Sequence, residues 1–161
     1  MKAIVYLSGT GFTKRYAEML SSKTGLPCYD LKTAQKEVKE GEEIYYLGWV
    51  YANTVKGLSK AQKRWKLAAV SPVGMYPESP TNNDILKSTN KLTCPMFYLQ
   101  GGMQPDKIKG VNKLILKMVC KFLTKDEKPE NADIIKTFRE GCDCVSEENL
   151  AAALTYIMME S

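Results

Sequence analysis

The residues best suited to chemistry lie near the start of the chain: Ser8, Gly9, Thr10, Gly11, Phe12 and Thr13, directly after the apolar run of residues 2–7. Three hydroxyls flanking two glycines can hold a phosphate with neutral donors alone. At the opening of a helix, backbone N–H groups and the helix dipole favour an anion, and glycine lets the backbone curl around its oxygens. The plain alternative is a strand-to-helix turn with a single hydroxyl cap. Acid–base chemistry has little to work with, because the chain contains no histidine. A Ser-His-Asp triad, a Cys-His pair and an imidazole acid or base are all excluded. Redox or group-transfer chemistry would therefore fall to a cofactor.

Three nucleotide motifs fail on the same six residues. A P-loop requires Gly-Lys followed by Ser or Thr, whereas Gly11 precedes Phe12. A dinucleotide fingerprint requires a third glycine where Lys14 stands, and no acidic residue suited to a ribose clearly closes the second strand, although Asp30 is close to it. A phosphatase-type loop needs a nucleophilic cysteine or aspartate, and this one has neither.

The elements that must position this loop alternate between apolar runs and helical patterns. Strands are expected at residues 2–7, 26–31, 43–48, 67–73 and 95–100. Helices are expected at 13–23, 33–39, 55–65 and 83–89, then at 106–124, 132–139 and 147–159, with 125–131 as a polar, mobile loop. This order predicts an α/β fold: a doubly wound, five-stranded parallel sheet with helices on both faces and additional C-terminal helices, all in one domain of 1–161. Ligands of such folds bind at the carboxyl ends of the strands.

The loop resembles that of the flavodoxin family, Ser/Thr-x-Thr-Gly-x-Thr after the first strand, at every specified position. The resemblance covers residues 1–100 well and the remainder in part. It implies the sheet order 2-1-3-4-5 and FMN as cofactor, with the flavin ring between the loops that follow strands three and four. Those loops would be Trp49, Val50, Tyr51, Ala52 and Asn53, and Val73, Gly74, Met75 and Tyr76. Trp49, Tyr51 and Tyr76 would stack on or fence the ring, and amides near Asn53 and Gly74 would meet its polar edge. Each aromatic equally suits a strand end that caps the core. The implied activity is electron transfer or flavin-dependent oxidoreduction, with no side chain assigned as acid or base. A phospholigand-binding module without FMN is the non-redox alternative.

Electron-shuttling flavodoxins are usually strongly acidic around the flavin, whereas this chain carries a net charge of +5. That charge by itself points neither to nucleic acid nor to membrane. Its placement is more informative, since Lys109, Lys113, Lys117, Lys121 and Lys125 recur every four residues beside an apolar stripe of Ile108, Val111, Ile115, Met118 and Phe122. Such a helix is either a surface helix packed on the sheet with a solvated basic face, or a platform for an acidic partner, an anionic substrate or a membrane surface. With Gly101, Gly102 and Met103 before it, this segment is similar to a branch of flavodoxin-like proteins that includes menaquinone-linked protoporphyrinogen dehydrogenases. That similarity implies a quinone-like small molecule or a redox protein as partner.

The remaining composition is that of a soluble globular chain, with 44% hydrophobic and 25% charged residues. No apolar run approaches the roughly 20 residues that span a bilayer, and none near the start suits a signal peptide, so the cytoplasm is the expected compartment. Five cysteines agree with a reducing environment. Cys142 and Cys144 form a Cys-Asp-Cys without further ligands at metal-site spacing, and read as two thiols in a polar loop.

Overall fold

Along β1 (Ala3–Leu7), Ile4 and Val5 face opposite sides of a sheet, as a period of two requires, and both are fully buried. The same alternation runs through β3 (Glu43–Tyr51), where Tyr45 and Leu47 enter one core cluster and Ile44 and Tyr46 the other. A sheet buried on both faces needs helices on both faces, and the computed structural model, which describes residues 1–125 and 131–160, has that arrangement. Helix α1 (Phe12–Thr24) supplies Tyr16, Ala17 and Leu20 to the first cluster. On the other face, α2 (Leu31–Glu37) supplies Leu31 and Ala34, and α3 (Leu58–Arg64) supplies Leu58 and Ala61.

Strand β2 (Cys28–Asp30) pairs parallel with β1, β1 with β3, β3 with β5 (Lys66–Gly74), and β5 with β6 (Leu99–Gln100). The five parallel strands thus have the order 2-1-3-4-5 expected of a flavodoxin-like sheet. A two-residue strand, β4 (Thr54–Val55), pairs antiparallel with the end of β3 and accounts for the sixth.

The chain divides into two compact units, Met1–Gly101 with Val145–Ser161, and Gly102–Cys144. The first contains the parallel sheet. It also contains α4 (Pro80–Thr89), capped by Ser79, and α7 (Ala151–Met159), whose Ala153 and Ile157 pack into the same cluster as α1. Residues 102–144 are therefore inserted between the last parallel strand and a helix that closes the core. This second unit holds a ribbon of β7 (Gly102–Met103) and β8 (Cys142–Asp143), with helices α5 (Gly110–Lys125) and α6 (Asn131–Glu140).

Several expected boundaries move for local reasons. Strand β3 continues through Trp49 and Tyr51, because Ala52 and Asn53 both have positive φ (45° and 58°) and fold the chain back into β4. Helix α3 begins at Leu58 rather than at Val55, which belongs to that ribbon. The helix expected at 106–124 is split: Pro105–Lys107 form a 3-10 turn, and α5 starts at Gly110, whose φ is +60°. The last helix is likewise preceded by a 3-10 turn, Glu148–Leu150. Most of the loop expected at 125–131 lies outside the described residues.

Candidate functional site

Ser8 follows β1 at the carboxyl edge of the sheet, beside the point where the order turns from β1 to β3. Its Oγ accepts hydrogen bonds from the amides of Gly11 (3.2 Å) and Lys14 (3.3 Å), which closes the loop on itself. Gly11 precedes the helix with φ +113°, a value open to glycine, and a Cβ there would meet nothing within 4 Å. Phe12 and Thr13 are buried, so the accessible part of the loop runs from Ser8 to Gly11, with Thr10 half-buried. Helix geometry leaves the first-turn amides of Phe12 and Thr13 without intrahelical acceptors. They are the donors suited to an anion at this helix start.

The structure brings Trp49 onto this loop. Its indole atoms stand 3.4–3.6 Å from where a Cβ on Gly9 would lie, so the ring lies over the loop at Gly9 with space for about one methyl group. Tyr51, two residues along the same strand and thus on the same face, meets Trp49 edge-on at 6.1 Å between ring centroids. Lys56 approaches both rings, its Nζ 6.0 Å from the Trp49 centroid and 5.0 Å from that of Tyr51. Its backbone holds the same ribbon, the Lys56 amide donating to the Trp49 carbonyl at 2.9 Å. Trp49 and Tyr51 therefore belong to a paired strand rather than to a free loop. Sequence reading missed Lys56, which carries no motif and is found only through the hairpin register.

The turn at Ala52 and Asn53 is pinned from outside. Asn90 donates to the Asn53 carbonyl at 2.8 Å and accepts from the Val55 amide at 2.8 Å. Val50 pairs with Val55 across the ribbon.

The segment after β5 is fixed by β6. Val73 is buried, and the Gly101 amide donates to the Gly74 carbonyl at 2.7 Å. Tyr98 lies against Gly74, its hydroxyl donating to the Tyr76 carbonyl at 2.7 Å. Burial, with Glu78 nearby, pushes the Tyr98 phenol up to about 12, so it remains a donor at any ordinary pH. The Gln100 side chain donates to the Met75 carbonyl at 3.3 Å. Gly101 sits where a Cβ would press on Val73 and approach Phe12, which draws the ends of β5 and β6 against the first loop. Tyr76 itself is 49% exposed and Tyr51 42% exposed, leaving both rings accessible.

Below the loop, the buried Tyr16 hydroxyl donates to the Gln100 carbonyl and accepts from Asn149 Nδ2 at 2.7 Å. This buried contact joins α1, β6 and the turn before α7, and no motif announces it.

In the second unit, Gly102 and Met103 pair with Asp143 and Cys142. Lys109 precedes α5, while Lys113 and Lys117 lie on it, and all three are exposed. The apolar stripe of α5 is exposed at Val111, Leu114, Ile115, Met118, Val119 and Phe122, Phe122 at 73% and Met118 at 71%. The opposite side of the helix lines a cavity of about 650 Å³ together with Phe138 and Arg139 of α6. Beside the short ribbon, burial and the neighbouring Cys142 hold the Cys144 thiol above its ordinary range. Among the described residues, no helix is long and apolar enough to cross a membrane.

No protein-family model and no curated protein matches the chain. Among solved structures, it is similar to a flavodoxin, a WrbA-like protein from Agrobacterium tumefaciens, at 11% identity and a TM-score of 0.40, over 62% of this chain and 82% of that one.

Proposed function

We propose that the chain binds one FMN non-covalently at the carboxyl edge of the parallel sheet and acts as a redox protein, in electron transfer or flavin-dependent oxidoreduction. The observation that carries this reading is the contact of Trp49 with Gly9. It brings the Ser8–Gly11 loop beside an accessible aromatic surface at the strand ends, where ligands of doubly wound sheets bind. The residues fit the group: Ser8, Thr10 and the first-turn amides of α1 would hold the phosphate. Trp49, Tyr51 and Tyr76 would flank the ring, with amides near Asn53 and Gly74 at its polar edge. When bound, FMN supplies the electron-accepting and electron-donating chemistry that a chain without histidine lacks. The protein's own contribution is to bind, orient and shield, and Lys56 adds a positive charge beside the aromatic pair. A redox protein or a quinone-like small molecule would exchange electrons with it. A peripheral membrane contact through α5 belongs to the same reading, supported by its exposed apolar face.

Titration of the purified protein with FMN, followed by flavin absorbance and fluorescence, tests this directly. Saturable quenching is expected, with affinity reduced at least tenfold in Thr10→Ala and the fold retained. A titration without any spectral change in the wild-type protein overturns the proposal.

A further inference from the structure

The lysines of α5 gather on the side of the helix that faces α6. Lys113, Lys117, Lys121 and Lys125 all line the cavity between the two helices, and Arg139 lines it from α6. Among the described lining residues, five cationic side chains thus meet with one carboxylate, Asp106. On α5 alone, three successive i,i+4 pairs of like charge repel each other and are destabilising, so helix stability does not account for the pattern. Leu116 and Phe138 give the same cavity an apolar wall. Its volume, about 650 Å³, is that of a small-molecule site.

We infer that this cavity binds a multiply charged anion, with two or more phosphate or carboxylate groups carried on an apolar body. The lysines neutralise the charge, Arg139 offers the planar fork that grips such a group with two parallel hydrogen bonds, and Leu116 and Phe138 contact the apolar part. Asp106 repels an anion at its own end, and among the described lining residues the stretch from Lys117 to Lys125 is the seat of the charged groups. The inference is independent of the FMN reading, since no residue of the parallel-sheet unit takes part. Such an anion reaches the cavity either as a free metabolite or as an anionic lipid headgroup.

Cys120 lines the cavity and reports its occupancy. The full-length protein would be treated with a maleimide in the presence of inorganic tripolyphosphate, and labelling at Cys120 mapped by mass spectrometry. Calorimetry on the same pair would measure affinity, with vesicles of phosphatidylglycerol or phosphatidylcholine as a parallel arm. Labelling of Cys120 is expected to slow at least fivefold with tripolyphosphate or with phosphatidylglycerol alone, and whichever protects identifies the free or the lipid source. Lys117→Glu/Lys121→Glu should abolish protection and weaken binding at least tenfold. Lys32→Glu/Lys36→Glu, the same charge change on α2, should leave both intact. Absence of protection by both probes overturns the inference, as does equal loss in the two double variants, because the effect would then be one of net charge.

Discussion

The indole of Trp49 rests against Gly9, 3.4 Å from the position a Cβ would take, so one strand end covers the loop of another. This contact discriminates between two glycines that look alike in the sequence. A methyl group on Gly9 would meet only an ordinary van der Waals neighbour. On Gly48 it would stand 2.6 Å from the Lys56 carbonyl and 2.7 Å from Val55 Cγ1. Gly9→Ala should therefore stay within about 0.5 kcal/mol of wild type, while Gly48→Ala loses about 1–3 kcal/mol through overpacking of the β3–β4 ribbon. Chemical denaturation of the two variants checks the contrast, and equal losses would contradict it.

The hydroxyls of Tyr45 and Ser71 share a 2.7 Å hydrogen bond with both residues fully buried. Burial holds the Tyr45 phenol well above its ordinary range, so the bond persists across accessible pH. Tyr45→Phe should cost about 1–3 kcal/mol because the Ser71 hydroxyl is left without its partner. Adding Ser71→Ala should recover part of that loss, and a double-mutant cycle showing strict additivity would refute the coupling.

Asp30 caps α2, accepting from the Thr33 hydroxyl and from the amides of Lys32 and Thr33. These bonds, the Thr33 hydroxyl foremost, lower its carboxyl below the ordinary value. A group depressed on folding stabilises the native state above its unfolded pKa, near about 3.9, and loses that contribution as pH falls through its folded value. Asp30→Asn keeps a competent cap while removing the titration. Its unfolding free energy should fall less steeply than that of wild type below about pH 5, as measured by urea denaturation across an acid series.

Met118 and Phe122 stand exposed on the apolar side of α5. In vesicle co-sedimentation, Met118→Ser/Phe122→Ser should abolish binding to phosphatidylglycerol membranes and leave tripolyphosphate binding untouched. The two faces of the helix are thereby separated, and retention of full vesicle binding would exclude the apolar face as the contact.

How much of this was legible differs from residue to residue, for physical reasons. The loop from Ser8 to Thr13 could be read because its chemistry is local: hydroxyls, glycines and a helix start within six positions. The parallel sheet could be read because buried strands write their period and length into the chain. The extension of β3 through Trp49 could not, since apolar and aromatic residues suit a strand end and a loop equally. The hairpin was set by backbone angles at Ala52 and Asn53 and by the clamp from Asn90, distant in sequence. Lys56, Tyr98 and Asn149 escaped notice because single polar residues acquire a role only through partners that folding brings to them.

The sequence by itself determined the elements, their order and the neutral-donor loop, because these depend on periodicity and on interactions spanning a few residues. It also wrote the four-residue lysine repeat of α5. Only the tertiary structure decided that the lysines line a cavity and the apolar stripe faces out, since a helical period defines two faces without saying which one another element will cover. For the same reason, tertiary structure alone laid Trp49 over Gly9, residues forty positions apart joined by the pairing of β1 with β3.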